Sequence, residues 1–245
     1  MIIGIDAGNT STVLAALEGG RVLAKERIAT PLLLKDSSAI LPVLNTVRNN
    51  AKRCLVGSVV DELNDPLRDA LTGCGIETAF LGIDVPVPVG NKARYPEKVG
   101  VDRLLNCLAV KALGKAPAVV VDFGTGTNFD VVGEDGSFEG GIISPDIEGG
   151  ITYLAEHASK LPTIEFKKPA ALIGTDTVGA MTSGIFYSAL GGVEKILALL
   201  QEELPRSFTL IATGGKARIL LESLPFAIEE VPDLTLLGIA HCAKD

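Results

Sequence analysis

The chain has 245 residues, of which 47% are hydrophobic, 21% charged and 4% aromatic. This composition is typical of a globular protein and excludes an intrinsically disordered chain, a collagen-like repeat and a small disulfide-stabilised scaffold. The net charge of −8 disfavours binding to nucleic acid or to an anionic membrane, because no dense basic segment of the sequence offsets it.

The cysteine pattern and the N-terminus indicate a cytoplasmic protein. The cysteines are widely spaced and form no CxxC motif, and they are Cys54, Cys74, Cys107 and Cys242. Such spacing is typical of reduced thiols and disfavours a zinc site or a disulfide framework. The first residues lack the basic and apolar regions of a signal peptide, and we expect no membrane span, since no run reaches about 18 apolar residues.

The first half of the chain predicts a mixture of strands and helices. Three apolar runs come first, at residues 2–6, 12–17 and 21–28, with a Gly19-Gly20 turn between the last two. Further strands are predicted at residues 54–59 and 78–81, helices at residues 36–49, 60–73 and 102–113, and a loop at residues 84–96.

The second half repeats the opening order of elements. Residues 117–121 predict a strand, and a second run at residues 128–132 and a third through Ile143 follow. Because Asp6 and Asp122 end the two leading strands almost half a chain apart, we predict a duplicated α/β fold with domains at residues 1–115 and 116–245. Later elements are helices at residues 147–160, 178–204, 217–223 and 234–242, and a strand at residues 208–212.

Each repeat carries a polar loop directly after its first strand. The loops are Asp6-Ala7-Gly8-Asn9-Thr10 and Asp122-Phe123-Gly124-Thr125-Gly126-Thr127. Backbone N–H groups and hydroxyls in such loops suit a phosphate, and the carboxylate suits a cation or a metal-bound water. A simple Asx-type turn explains one loop, but the repetition favours a ligand held between both. The sequence contains neither a Walker loop nor a Rossmann fingerprint.

Seven segments, in order across nearly the whole chain, resemble the type III pantothenate kinase family of the acetate/sugar kinase and actin superfamily. They are residues 6–12, Gly100-Val101-Asp102-Arg103, residues 122–127, Gly140-Gly141-Ile142-Ile143-Ser144-Pro145, Leu161-Pro162, Gly174-Thr175-Asp176-Thr177 and Thr213-Gly214-Gly215. The resemblance implies duplicated ribonuclease H-like domains, the actin-like ATPase fold, with an ATP cleft between them. It also implies phosphorylation of the 4′-hydroxyl of pantothenate by ATP, the first step of coenzyme A biosynthesis.

The resemblance also implies roles for individual residues. Asp102 matches the general base, and Arg103 matches a partner for the pantothenate carboxylate. The substrate-binding residues implied are Gly100, Val101, Asp102, Arg103 and Thr177. The ATP-binding residues implied are Asp6, Ala7, Gly8, Asn9, Thr10, Ser11, Thr12, Val13 and Thr125. Asp122 matches the ligand of an activating monovalent cation, K⁺ or NH₄⁺, and ATP is expected to bind with Mg²⁺.

The family resemblance further implies a homodimer, whose interface the apolar residues 178–200 could supply. From the sequence alone, the core of one domain is the better explanation for the same apolar residues, so the dimer rests on the resemblance. Asp102 and Thr177 are each open to another explanation, because both lie at the start of a predicted helix and suit an N-cap. Thr213-Gly214-Gly215 suits either adenosine binding or a plain turn from strand to helix.

Two positions depart from the family pattern. Ala93 stands where the family has a tyrosine that contacts pantothenate, with Tyr95 two residues later. Asp146 stands where the family favours glycine. Two other functions therefore stay open: a superfamily kinase or phosphatase with another small substrate, and a non-catalytic nucleotide-binding regulator. The presence of Asp6, Asp102 and Asp122 together argues against the regulator.

Overall fold

The computed structural model describes residues 1–48, 50–145, 147–204, 207–215 and 217–243. The chain divides into two compact units. The first comprises Met1–Ala118, Asp130–Gly140 and Asp233–Asp245, and the second comprises Val119–Phe129 and Gly141–Pro232. The first unit therefore includes two segments from the second half of the sequence. A domain boundary between residues 115 and 116 stays a prediction.

The elements alternate along the chain as an α/β fold requires. The strands are β1 (Ile2–Ala7), β2 (Ser11–Glu18), β3 (Arg21–Ala29), β4 (Arg53–Ser58), β5 (Glu77–Phe80), β6 (Ala118–Phe123), β7 (Thr127–Val132), β8 (Phe138–Ser144), β9 (Thr209–Thr213) and β10 (Glu229–Glu230). The α-helices are α1 (Thr30–Lys35), α2 (Ile40–Val47), α3 (Asp61–Gly73), α4 (Val101–Ala112), α5 (Ile147–His157), α6 (Thr177–Glu203), α7 (Ala217–Leu221) and α8 (Leu234–Cys242).

The first unit is built on a five-stranded sheet in the order β3-β2-β1-β4-β5. β1 pairs antiparallel with β2 and parallel with β4, which places Asp6 opposite Val13 on one side and Gly57 on the other. β1 is central and covered on both faces, so its apolar residues Ile3 and Ile5 are fully buried. Asp6 lies near the carboxyl end of this buried strand.

Helices cover both faces of the first sheet. On one face, Leu33, Leu44 and Leu67 of α1, α2 and α3 join a cluster of buried apolar side chains. On the other face, Leu105 of α4 and Ile239 of α8 pack with a second cluster. The sheet thus fixes the start of α4, which carries the predicted base.

The second sheet repeats the topology of the first. Its order is β10-β9-β6-β7-β8, which in reverse matches β3-β2-β1-β4-β5 strand for strand. β6 takes the place of β1, and its residues Val119, Val120 and Val121 are fully buried. The duplication predicted from the spacing of Asp6 and Asp122 is confirmed by this shared strand order.

The predicted helix at residues 36–49 is wrong at its start. Asp36 has an extended backbone, with φ −152° and ψ 99°, and its carboxylate accepts a hydrogen bond from the Ser38 N–H. A short 3-10 turn, Ser37–Ala39, precedes α2, and α1 ends just before Asp36. Asn49 lies outside the described residues. The interruption arises because aspartate favours local capping over helix continuation.

In the part of the chain that the structure describes, α6 has the length and composition that a membrane span requires. Its most apolar window has a mean hydropathy of 1.3, and 28% of that window is buried. The sequence prediction found no such run because serine, threonine and glycine interrupt the apolar residues. A helix at a core or an interface of a water-soluble protein has the same character, so this is weak evidence for a span.

Candidate active site

Asp102 lies in the first turn of α4, two residues after the N-cap Gly100. Its Oδ1 accepts a hydrogen bond from the Arg103 N–H at 2.9 Å. Burial raises the pKa of the Asp102 carboxyl, while that hydrogen bond and the charge of Arg103 oppose the rise. Asp102 is therefore not the N-cap, and it presents a partly desolvated carboxylate that can accept a proton.

Gly100 is required by the close approach of Asp102. A Cβ at position 100 would lie 2.5 Å from the Asp102 Oδ1 and 3.6 Å from Val59. Any side chain there would displace the carboxylate from its present position. The glycine of the Gly100-Val101-Asp102-Arg103 segment thus has a packing reason, and Val101 begins the helix beside it.

Arg103 is held by residues that the sequence prediction missed. Its Nε donates to the Asp130 Oδ1 at 2.6 Å, and its guanidinium lies 4.9 Å from the centroid of the Phe138 ring. The Arg103 side chain is 13% exposed and Asp130 is fully buried. One feature of the sequence pointed to this pair. Asp130 lies inside the predicted strand at residues 128–132, and a carboxylate that is buried there needs a compensating partner.

The loop between β1 and β2 is a closed, hydrogen-bonded hairpin. The Gly8 N–H donates to the Ser11 carbonyl at 3.1 Å, and the Thr30 hydroxyl donates to the Gly8 carbonyl at 2.6 Å. Thr12 is fully buried and shares a 2.9 Å hydrogen bond with Thr30. Of the predicted ATP-binding residues here, two have exposed side chains, Asn9 and Thr10, whereas three are buried within the unit, Ala7, Thr12 and Val13.

The second polar loop joins β6 to β7 within the second unit. Asp122 is half-buried, and Thr125 is exposed at the turn. A Cβ at Gly124 would lie 3.4 Å from the Asp122 Oδ1, so the backbone approaches this carboxylate closely. Such a carboxylate at a strand end has the oxygen chemistry that hard cations prefer.

The structure brings Thr213-Gly214-Gly215 against this second loop. Gly214 has φ +93°, and a Cβ there would lie 2.6 Å from the Phe123 carbonyl oxygen. Only glycine combines this left-handed conformation with so close a backbone approach. The segment therefore serves as a tight turn from strand to helix, and the turn leaves bare backbone beside residues 122–127.

Thr177 begins α6 but does not cap it. The N-cap is Asp176, whose carboxylate accepts the Gly179 N–H at 2.8 Å. The Thr177 side chain is exposed. Gly174 packs against the backbone of Gly179 and Ala180, where a Cβ would collide with main-chain atoms. The segment is thus a tight turn that presents Thr177 at the helix start.

The loop that departs from the family pattern is ordered by polar contacts. The Ala93 N–H donates to the Asn91 Oδ1 at 3.1 Å. Tyr95 is 51% exposed, and its ring centroid lies 5.3 Å from the guanidinium carbon of Arg94 and 5.1 Å from the Lys98 Nζ. Asp146, the other departure, lies outside the described residues.

Comparison with known families gives one assignment for nearly the whole chain. The family model described as type III pantothenate kinase matches residues 2–199. A type III pantothenate kinase of Gluconobacter oxydans is 38% identical, over 98% of this chain and 91% of that protein. Another, of Phenylobacterium zucineum, is 33% identical over 98% of this chain and 96% of that protein.

A solved structure shares the fold. MreB 5 of Spiroplasma citri, bound to AMPPNP, superposes with a TM-score of 0.52 at 9% identity, over 97% of this chain and 94% of that chain. At this identity the likeness shows the fold alone, the duplicated ribonuclease H-like domains of actin-like ATPases. The match to the family model and the full-length similarity to curated relatives show that this chain belongs to the type III pantothenate kinase family.

Proposed function

We propose that this protein transfers the γ-phosphoryl group of ATP to the 4′-hydroxyl of pantothenate, the first step of coenzyme A biosynthesis. Asp102 carries the proposal, since it is a partly desolvated carboxylate at a helix start beside an arginine that is only 13% exposed. Family membership over nearly the full length supports the substrate.

In the proposed reaction, Asp102 accepts the proton of the pantothenate hydroxyl as its oxygen attacks the γ-phosphorus. The bond from the γ-phosphorus to the β-phosphate oxygen breaks, and ADP leaves with that electron pair. Phosphoryl transfer demands mostly positioning and charge stabilisation from a protein. Mg²⁺ bound with ATP supplies charge neutralisation at the phosphates. Gly100, Val101, Arg103 and Thr177 bind pantothenate, with Arg103 paired to its carboxylate.

ATP binding is proposed for the two polar loops. Residues 6–13 and Thr125 bind the nucleotide, and this is supported by the exposed side chains of Asn9, Thr10 and Thr125. Asp122 binds an activating monovalent cation, K⁺ or NH₄⁺. The position of Asp122 near the end of β6 supports this role, because carboxylate oxygens are ligands that hard cations prefer.

The protein is also proposed to form a homodimer and to be located in the cytoplasm. On α6, large apolar side chains are exposed, among them Val178 at 47%, Tyr187 at 40% and Leu199 at 45%. Contact with a second copy of the chain removes exposed apolar side chains of this kind from water. The free cysteines Cys54, Cys74, Cys107 and Cys242 suit a reducing compartment.

A substrate panel tests the reaction against its main competitor, a kinase of the same superfamily with another hydroxyl substrate. Ala93, at the position of a substrate-contacting tyrosine in the family, is the feature that favours this competitor. The panel comprises pantothenate, glycerol, glucose, glucosamine and acetate with ATP and Mg²⁺. Of these acceptors, we expect only pantothenate to give ADP. Mass spectrometry should show that the product is pantothenate with one added phosphoryl group. ADP formation with another acceptor and none with pantothenate would replace the proposed substrate.

A further inference from the structure

The ion pair of Arg103 and Asp130 is a buried feature of the first unit. Asp130 is fully buried on β7, and the Nε–Oδ1 distance is 2.6 Å. A buried pair seldom stabilises a fold beyond what apolar side chains of the same size would achieve, because both charges lose their hydration. Stability alone therefore gives a weak reason for placing these charges in the protein interior.

Within the described part of the chain, the ion pair leaves one guanidinium nitrogen of Arg103 without an acceptor. Arg103 Nη2 is buried and has no hydrogen-bond partner among the residues that the structure describes. A buried guanidinium N–H without an acceptor is unfavourable, and a bidentate anion such as a carboxylate satisfies two N–H groups at once. Nη2 itself is buried, so a ligand reaches the arginine through the 13% of the side chain that stays exposed.

Phe138 fixes both the arginine and the neighbouring loop. Its ring centroid lies 4.9 Å from the guanidinium carbon of Arg103. Its backbone N–H donates to the Gly90 carbonyl at 2.8 Å, and its carbonyl accepts the Lys92 N–H at 2.9 Å. The hairpin segment Asp130–Gly140 thus supports Arg103 and the loop of Ala93 within one unit.

We infer that Asp130 is a positioning residue for pantothenate: by binding the Arg103 Nε, with Phe138 packed on the guanidinium, it orients the arginine toward the substrate carboxylate. This inference rests on the proposed function and deepens it. Asp130 acts through Arg103 and does not itself contact the reacting atoms. Its loss therefore weakens pantothenate binding and leaves ATP binding unchanged.

The test is the pair of Michaelis constants in Asp130→Asn. The asparagine keeps an acceptor for Nε but loses the charge, so we expect the KM for pantothenate to rise about tenfold or more. The KM for ATP should stay within about twofold. Asp69→Asn is the matched control, because Asp69 is an exposed carboxylate on α3 of the same unit. It should leave both constants unchanged.

A double-mutant cycle separates positioning from a structural role. In Arg103→Lys, which keeps a cation for Asp130 but lacks the guanidinium, adding Asp130→Asn should raise the KM for pantothenate by less than about twofold. If Asp130→Asn does not fold, Phe138→Leu leaves the ion pair in place and should still raise that KM about threefold or more. An unchanged pantothenate KM in these variants, or equal rises for both substrates, overturns the inference.

The wild-type protein provides the remaining distinction. If it forms no ADP with pantothenate, the proposed function fails and this inference fails with it. If it turns over pantothenate but the Asp130→Asn effect is fully retained in the Arg103→Lys background, the inference alone fails.

Discussion

At the residue scale, Asp102 combines two opposing influences. Burial favours the protonated carboxyl and raises its pKa, whereas the Arg103 N–H and charge favour the carboxylate. A carboxylate with a raised pKa takes a proton more readily than a fully hydrated one. The position at the start of α4 thus suits a general base better than a cap, a role that falls to Gly100.

Replacing Asp102 tests its role as the base. Asp102→Asn keeps the shape and an acceptor for the Arg103 N–H but cannot take a proton. We expect kcat to fall by about 10²- to 10⁴-fold, the usual contribution of a general base. Steady-state kinetics and thermal denaturation measure the two effects. The melting temperature should not fall at neutral pH, since the variant removes a desolvated charge. A kcat within tenfold of the wild type removes Asp102 as the base.

The pH dependence of kcat/KM should show the raised pKa directly. Activity requires the unprotonated carboxylate, so it falls as the pH drops through the pKa of Asp102. We expect this acidic limb to lie above 3.8, the ordinary aspartate value, because burial raises the pKa. The wild-type carboxyl becomes protonated at low pH and then no longer carries a buried charge. The free energy of unfolding that Asp102→Asn gains over the wild type therefore decreases as the pH falls. An acidic limb at or below the ordinary value would contradict this assignment.

The sequence predicted Asp102 and Arg103 as site residues, but it did not predict a role for Asp130. In the predicted strand at residues 128–132, Asn128 and Asp130 alternate with Phe129 and Val131, a pattern typical of one solvated face. The structure buries Asp130 because Arg103 of α4 compensates its charge. That packing depends on contacts distant in sequence, which no local pattern reveals. For Thr177, the alternative explanation as an N-cap is wrong, because Asp176 caps α6.

At the scale of elements, the contact between α4 and α8 depends on Gly238. A Cβ at this position would collide with the Leu105 carbonyl oxygen of α4. Leu105 and Ile239 belong to the apolar cluster beneath these helices. The close approach of α8 thus helps to hold the helix that carries Asp102 and Arg103.

Gly238→Ala should destabilise the protein by about 2 kcal/mol, because the added methyl group forces two backbones apart in a packed region. The control is Gly73→Ala, at the end of α3, where a Cβ would meet no atom within 4 Å. We expect the control to be neutral or slightly stabilising. Urea denaturation gives both free energies of unfolding. Equal stability of the two variants would show that α8 does not pack closely on α4.

Most elements could be predicted from periodicity and turn residues. The Gly19-Gly20 turn adopts positive φ angles of 59° and 80°, as expected between β2 and β3. The short helix α1 was not predicted, and the predicted helix at residues 36–49 begins too early, because Asp36 is extended and caps the 3-10 turn before α2. β10 was missed because two residues carry no measurable periodicity.

At the scale of the whole molecule, the duplication was predictable but the composition of the units was not. The shared strand order follows from the repeated loops and apolar runs. Asp130–Gly140 and Asp233–Asp245 nevertheless belong to the first unit. Long-range packing, such as that of Leu236 and Ile239 with Leu105, decides this assignment.

The proposed homodimer predicts that a charge on α6 disrupts association. Leu199→Glu places a carboxylate on an exposed apolar position, so the mass from light scattering should fall from that of a dimer to about 25.5 kDa. Leu32→Glu, at a 54% exposed position on α1, should leave the mass unchanged. A wild-type protein that is monomeric at micromolar concentration would contradict the dimer.

The proposed phosphorylation of pantothenate is tested most directly by measuring ADP release from ATP and Mg²⁺. The release is measured with and without pantothenate, in potassium buffer and in sodium buffer. We expect ADP formation that requires pantothenate and is faster in potassium than in sodium, because Asp122 binds the monovalent cation. Equal rates of ADP release in both buffers would contradict only the role of Asp122 as the cation ligand. The absence of pantothenate-dependent ADP in either buffer would contradict the proposed function.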